Sequence, residues 1–408
     1  MKEIAKTLRC RECGRVRDFE PAYVCEFCFG PLEVAYDLTF AAGQISHRSI
    51  LNGPPTIWRY RDLLPAPAGE PVDLGTGLTP LVLARNLGKQ LGLDRLYIKN
   101  DTLNPTGSFK DRNVAVATNF ALAYGFDTLA CSSTGNLAGS VAAYAARAGL
   151  RSLVFIPSGL EPTKVSAAQA FGATVVELDG TYDDVNRLCV ELADQHGWGI
   201  VNVNLRPFYS EGSKTLTFEV VEQLGWRAPD HIVVPVAAGS LLAKTAKALH
   251  ELVDVGLIDR APTRIHAAQA EGCAPVSSAI QQRTDTITPV RPNSIAKSLA
   301  IGNPADGRYA SRAVQASGGW GTACREEAVI EGMALLAETE GILSEPAGGV
   351  VVDGLQQLIA QGRIKREESV VICITGSGLK TPELFPPREG RRVHLGQARA
   401  AEFERAMA

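Results

Sequence analysis

Short apolar runs alternate with longer helical patterns from Leu96 to Ile374. Eight of these runs are predicted as strands, at residues 96–99, 128–131, 152–156, 174–178, 200–203, 232–236, 264–267 and 370–374. They are apolar on both faces, as buried parallel strands are, and segments between them, such as 137–148 and 241–253, are long enough for helices. The alternation predicts an α/β fold in which helices cover both faces of parallel sheets.

Length and charge narrow the class of protein. The 408 residues are enough for two or three folded units. Because 41 Lys and Arg stand against 44 Asp and Glu, the net charge is −3, and no overall field attracts nucleic acid or anionic lipid. The apolar runs are too short to cross a bilayer, and the N-terminus lacks the pattern of a secretory signal. We therefore expect a cytoplasmic protein whose partners are small molecules.

Four of the nine cysteines form two C-x2-C pairs, Cys10 with Cys13 and Cys25 with Cys28. Two such pairs separated by eleven residues predict a tetrahedral zinc site. Four thiolates leave no open coordination position, so the zinc would be structural. A redox pair, or a ribbon that has lost its metal, is the alternative.

A lysine lies at the predicted start of a helix in the motif Asn104-Pro-Thr-Gly-Ser-Phe-Lys-Asp-Arg112. The positive end of the helix dipole and loss of hydration both lower the pKa of an ammonium group there. Lys110 would then supply a free amine able to attack an aldehyde. The alternative is a surface lysine paired with Asp111.

The segment Ser132-Ser-Thr-Gly-Asn136 follows a predicted strand and precedes a predicted helix. Hydroxyl groups and free amides at a helix N-terminus suit a small carboxylate, such as that of an amino acid. An ordinary helix cap and its turn would use some of the same residues.

Two further turns follow predicted strands. In residues 235–241, Gly239 allows successive amides to surround a phosphate, although one glycine before a helix is often a simple turn. In residues 374–378, the Thr375 hydroxyl could meet the nitrogen of a heteroaromatic ring, although this sequence is also an ordinary exit from a strand.

Together and in this order, these motifs resemble those of the fold-type II pyridoxal-phosphate enzymes, which have the fold of the tryptophan synthase β subunit. The likeness covers nearly the whole chain. Residues 25–37, 202–215 and 295–304 are similar to the threonine synthases that carry an N-terminal ribbon. That resemblance implies pyridoxal 5′-phosphate as cofactor, O-phospho-L-homoserine as substrate, L-threonine and phosphate as products, and a homodimer.

The resemblance also implies roles for individual residues. Lys110 would bind the cofactor covalently, Asn136 would lie beside its 3′-oxygen, and Thr375 would lie at its ring nitrogen. The cofactor phosphate would be surrounded by Ala237, Ala238, Gly239, Ser240 and Leu241. The substrate carboxylate would be held by Ser133, Thr134 and Asn136, and the substrate phosphate by Asn204, Arg206, Ser210 and Lys214.

The cysteine cluster, the proline-rich runs that follow it, the polar composition of the C-terminal residues and the resemblance together predict the organisation of the chain. We predict a zinc-ribbon-like segment at 1–38, a wrapping linker at 39–75, a catalytic domain at 76–390 and a polar tail at 391–408. The catalytic domain would consist of two α/β lobes, the smaller at roughly 125–210.

The sequence departs from the family pattern at two places. Two alternative functions also remain open. Residues 237–241 lack the glycine- and asparagine-rich phosphate loop of many relatives, and Gly107 stands where some relatives have histidine. The first alternative is another fold-type II lyase, either a threonine or serine ammonia-lyase or an enzyme like cysteate synthase. The second is a catalytically inactive binding protein.

Overall fold

The computed structural model describes residues 6–66, 69–133, 135–385, 394–395 and 399–407. It contains three sheets, of three, six and four strands. The predicted α/β fold with parallel sheets is confirmed. Among the described residues, no helix is both long enough and apolar enough to span a membrane.

A small antiparallel sheet with strand order β2-β1-β3 lies at the N-terminus. Its strands are β1 (Lys6–Cys10), β2 (Val16–Arg17) and β3 (Leu32–Tyr36). Leu8 and Val34 are paired across β1 and β3 and are buried, so the sheet packs one face against the rest of the molecule.

The ten strands of the two larger sheets are β4 (Leu81–Leu83), β5 (Arg95–Asn100), β6 (Thr128–Ser132), β7 (Arg151–Pro157), β8 (Thr174–Leu178), β9 (Gly199–Ile200), β10 (His231–Pro235), β11 (Arg264–Ala270), β12 (Gly321–Cys324) and β13 (Ser369–Ile374). The six-stranded sheet has the order β12-β11-β10-β13-β5-β4 and is parallel except for β4. The four-stranded sheet has the order β8-β7-β6-β9 and is parallel throughout.

The α-helices are α1 (Leu38–Ala42), α2 (His47–Leu51), α3 (Arg85–Leu91), α4 (Lys110–Ala123), α5 (Asn136–Ala148), α6 (Pro162–Ala170), α7 (Tyr182–His196), α8 (Arg206–Glu211), α9 (Lys214–Gln223), α10 (Ser240–Asp254), α11 (Pro275–Gln281), α12 (Gly307–Ala316), α13 (Glu326–Glu340), α14 (Pro346–Ala360) and α15 (Ala400–Met407). Short 3₁₀ helices lie at Ile57–Leu63, Asp101–Leu103, Glu271–Cys273, Lys297–Leu299, Gly378–Lys380 and Pro382–Leu384.

Seven of the eight predicted strands agree with the structure within a few residues. The prediction at 200–203 was too long, because β9 ends at Ile200. The Asn204 side chain accepts a 2.8 Å hydrogen bond from the Ile200 amide, and the Val203 amide donates to the Ile200 carbonyl. These local bonds turn the chain away from the sheet.

The predicted linker at 39–75 contains short helices, and the predicted tail ends in α15. The four-stranded sheet is built from residues 128–200, inside the predicted smaller lobe. The domain boundaries themselves remain a prediction. The five cysteines outside the N-terminal pairs are all buried, as expected of small core residues: Cys131, Cys189, Cys273, Cys324 and Cys373.

Candidate active site

A cavity lies at the carboxyl ends of β6, β10 and β13, where parallel sheets commonly carry their ligands. It brings together residues from all four of the predicted catalytic motifs. Those motif residues are Ser108, Phe109, Lys110, Ser132, Ser133, Asn136, Pro235, Ala237, Ala238, Gly239, Ser240, Leu241 and Thr375. The order of the strands, and not proximity in sequence, therefore builds the site.

Lys110 is the first residue of α4 and lines the cavity. Burial lowers the pKa of its amine to about 8, although the negative charge of Glu345 opposes this shift. The Asp111 carboxylate is engaged elsewhere, since it accepts hydrogen bonds from Thr106 and Ser140. The geometry favours a cavity amine over the alternative of a surface lysine paired with Asp111.

Asn136 is the first residue of α5, and both polar atoms of its side-chain amide are hydrogen-bonded. Its Nδ2 donates a 2.6 Å hydrogen bond to Glu345, and its Oδ1 accepts a 3.1 Å bond from Lys380. Glu345 is buried and directly precedes α14. These partners fix the orientation of the Asn136 side chain at the cavity wall.

Ser133 combines a structural role with its place in the cavity. Its Oγ accepts 3.0 Å hydrogen bonds from the amides of Gly135 and Ala138, which caps the start of α5. The capping alternative therefore holds for Ser133, although this residue also lines the cavity. Thr134, predicted as its neighbour in the carboxylate site, lies outside the described residues.

The turn before α10 is shaped by Gly239, which has a φ of +92°. A Cβ atom there would lie 2.9 Å from the backbone of Asp306. The first amides of a helix have no acceptor within the helix. This turn therefore presents free N–H groups at the cavity. Such a set of donors suits a phosphate even without a glycine- and asparagine-rich loop.

Of the four residues predicted to hold the substrate phosphate, Arg206 alone lines the cavity. Asn204 bonds the backbone at Ile200 and Trp198, and Ser210 donates to the Pro207 carbonyl. The Lys214 ammonium is fully buried, 2.7 Å from each of the carboxylates of Glu211 and Glu251. The geometry thus favours Arg206 and gives Asn204, Ser210 and Lys214 structural contacts.

Sequence reasoning missed several polar residues of the cavity. Asn202 donates to Ser132 and to the hydroxyl of Tyr182, and Glu345 contacts Asn136. Tyr182 and Glu345 belong to no local motif and reach the cavity only through the packing of α7 and α14. Asn202 lies in the segment 202–215 that carried part of the family resemblance.

The four N-terminal cysteines form a compact sulfur cluster at one end of the small sheet. All four sulfur atoms lie within 4.8 Å of one another, with 3.4 Å between Cys10 and Cys28 and 3.7 Å between Cys13 and Cys25. Tetrahedral zinc at a Zn–S distance of about 2.3 Å places its sulfur ligands roughly 3.8 Å apart. Hydrogen bonds from the Cys28 and Phe27 amides lower the pKa of Cys25 to about 7, whereas at Cys28 the bond from the Gly30 amide is outweighed by contacts with the other sulfur atoms, which raise its pKa. The distances between the sulfur atoms, and not these opposite shifts, indicate the metal site.

Comparisons with known proteins agree with this geometry. Residues 72–376 match the family model of pyridoxal-phosphate dependent enzymes. The threonine synthase of Methanocaldococcus jannaschii is 38% identical over 92% of this chain and 93% of its own length. That of Methanosarcina acetivorans is 37% identical over 92% of each chain. The structure of diaminopropionate ammonia lyase from Escherichia coli is similar with a TM-score of 0.64, covering 94% of this chain and 96% of that one, and its 18% identity indicates a shared fold only.

Proposed function

Because the chain belongs to the pyridoxal-phosphate-dependent enzyme family and, within it, to the threonine synthases, we propose that it converts O-phospho-L-homoserine and water into L-threonine and phosphate. One observation carries the assignment of the site. Lys110, Asn136, the turn at Gly239 and Thr375 come from four distant parts of the chain and line one cavity.

The cavity fits pyridoxal phosphate in its chemistry. It offers an amine of lowered pKa, a glycine turn with free amides at a helix start, and a neutral hydroxyl at Thr375. We propose that Lys110 binds the cofactor, that Ala237, Ala238, Gly239, Ser240 and Leu241 surround its phosphate, and that Asn136 and Thr375 contact its ring. When bound, the cofactor supplies an aldehyde that takes up amino groups and a ring that accepts electrons from neighbouring carbons.

Residues of the chain carry out the proton transfers and bind the substrate. Lys110 would be the base that takes protons from Cα and Cβ of the bound substrate and the acid that delivers protons to Cγ and Cα. Ser133 and Asn136 hold the substrate carboxylate at the start of α5, and Arg206 binds the phosphate that leaves from Cγ. In the overall reaction one hydrogen moves from Cβ to Cγ, the hydroxyl group of water is added at Cβ, and phosphate leaves from Cγ.

The Thr375 hydroxyl influences the type of reaction. A neutral hydroxyl stabilises a protonated ring nitrogen less than a carboxylate does, so the ring withdraws electrons more weakly. This environment favours elimination and replacement over transamination.

A product assay tests the proposal. The purified protein, loaded with pyridoxal phosphate and given O-phospho-L-homoserine, should release threonine and phosphate in equal amounts, and Lys110→Ala should release neither. Parallel assays with L-threonine, L-serine and O-phospho-L-serine separate the alternatives. Ammonia and a 2-oxo acid from L-threonine, with no reaction of O-phospho-L-homoserine, would overturn the proposal in favour of an ammonia-lyase.

We further propose that Cys10, Cys13, Cys25 and Cys28 hold one structural zinc ion, supported by their sulfur distances. We also propose that the protein is a homodimer, as the family resemblance implies, and that it acts in the cytoplasm. Light scattering of the purified protein measures its oligomeric state.

A further inference from the structure

One side chain of the first C-x2-C pair contacts a carboxylate that in turn contacts the cavity residues Ser240 and Arg206. Arg11, between Cys10 and Cys13, lies with its Nη1 atom 3.1 Å from the Asp306 carboxylate. Arg11 is outside the residues 72–376 that match the family model. This contact therefore joins a segment outside the matched region to Asp306 within it.

The Asp306 carboxylate contacts three side chains from three parts of the chain. Besides its contact with Arg11, this carboxylate accepts a hydrogen bond from the Ser240 hydroxyl and forms an ion pair with Arg206, whose Nη2 atom lies 2.9 Å away. Ser240, the first residue of α10, and Arg206, the first residue of α8, both line the cavity and both contact the Oδ2 atom of Asp306. The buried Asp306 carboxylate thus contacts Ser240 next to the glycine turn, Arg206 in the cavity, and Arg11 beside the cysteine cluster.

The position of Arg11 is set by its surroundings. Its guanidinium lies 3.5 Å from the centre of the Tyr309 ring, and the neighbouring Glu12 accepts a hydrogen bond from the Tyr309 hydroxyl. Arg308 also lies 3.8 Å from Glu12. The turn that carries Arg11 is therefore attached to the start of α12, directly after Asp306.

The charges of Asp306, Arg206 and Arg11 explain how Arg11 affects Arg206. Burial would raise the pKa of Asp306, but the charges of Arg206 and Arg11 outweigh it and lower that pKa to about 2. Asp306 therefore stays ionised, and two guanidinium groups share its single negative charge. Without Arg11, Asp306 would neutralise Arg206 more completely and hold it away from a ligand.

We propose that Arg11 is a positioning residue that shares Asp306 and thereby keeps Arg206 available to bind a phosphate group in the cavity. The inference rests on the proposed function in one respect, namely that Arg206 faces the phosphate of the substrate. It assigns the N-terminal segment a role in substrate affinity as well as in the fold.

Calorimetric titration of the cofactor-loaded, full-length enzyme with inorganic phosphate tests the inference. Arg11→Met should weaken phosphate binding by roughly 3- to 10-fold, since it removes one charged partner of Asp306. KM for O-phospho-L-homoserine should rise by a similar factor while kcat changes less than about twofold. Arg9→Met, which removes an exposed arginine of the preceding strand β1, should leave both constants unchanged.

Two more variants keep the test decisive. Arg11→Lys retains the charge and should recover most of the affinity, whereas Arg11→Gln, a neutral polar replacement to be used if the methionine variant does not fold, should lose it. Phosphate affinity equal to the parent enzyme in Arg11→Met or Arg11→Gln overturns the inference, as does a fall in kcat alone. If the parent enzyme binds phosphate without turning over O-phospho-L-homoserine, the proposed function fails, and the phosphate affinities of the variants still decide the role of Arg11.

Discussion

The Phe109 amide donates a 2.9 Å hydrogen bond to the Thr375 carbonyl. This bond joins the start of α4 to the end of β13, although the two residues lie far apart in the sequence. The Ser377 amide donates a second bond to the Gly107 carbonyl, and the two bonds form an antiparallel bridge between Ser108 and Gly376. Backbone hydrogen bonds thus fix the lysine motif to the turn that follows β13. Lys110 and Thr375 therefore hold fixed positions relative to each other at the cavity.

The lowered pKa of Lys110 predicts how cofactor binding depends on pH. Only the neutral amine attacks an aldehyde, so the rate of pyridoxal phosphate binding to the apoenzyme should rise about tenfold per pH unit below pH 8 and level off above it. Stopped-flow absorbance between pH 6.5 and 9.5 measures this rate. A rate that still rises at pH 9.5 would mean that burial does not perturb the amine.

The turn at Gly239 predicts a specific loss of cofactor affinity. In Gly239→Ala the new Cβ would lie 2.9 Å from the Asp306 backbone, at a φ that alanine rarely adopts, so the turn must move. We expect the Kd for pyridoxal phosphate to rise at least ~10-fold, the equivalent of about 1.4 kcal/mol. Fluorescence titration of the apoenzyme provides the measurement.

Gly256→Ala is the matched control for that variant. Gly256 follows the other end of α10, has a φ of +74°, and has no heavy atom within 4 Å of its added Cβ. It should cost about 1 kcal/mol of stability and leave cofactor affinity unchanged. Equal affinity losses in the two variants would show that backbone strain alone, and not the cofactor turn, is responsible.

The sulfur cluster predicts one zinc ion per chain. Elemental analysis of untagged protein should find it, and Cys25→Ser should remove it and lower the melting temperature, because the small sheet would lose its cross-link. Cys189→Ser changes a buried cysteine outside the cluster and should retain the metal. Protein that contains no zinc after growth with added zinc would contradict the assignment.

The residues that sequence analysis identified share one property. Lys110, Gly239 and Thr375 each stand where a predicted strand ends or a helix begins, and parallel strands bring such positions to the same edge of a sheet. Local pattern was therefore enough to find them.

Residues that depend on distant packing were not predictable in this way. Glu345 meets Asn136 across 209 positions of sequence, and Arg11 meets Asp306 across 295. Lys214 was misleading because a basic residue suits a phosphate and a buried carboxylate equally well. Its neighbour Glu211, three positions earlier, is the partner that the fold supplies.

Arg206 and Lys214 provide the sharpest test of the substrate site, since both were predicted to bind the substrate phosphate and the structure separates them. Arg206→Met should raise KM for O-phospho-L-homoserine by about 10- to 100-fold, because a charged hydrogen bond to phosphate is worth about 1.5–3 kcal/mol. Lys214→Met should instead lower the free energy of unfolding by roughly 3 kcal/mol, because it leaves the buried Glu211 and Glu251 carboxylates with fewer cationic partners. Urea unfolding and steady-state kinetics of both variants measure the two effects. A folded Lys214→Met enzyme with parent stability and a KM raised as far as that of Arg206→Met would return Lys214 to the substrate site.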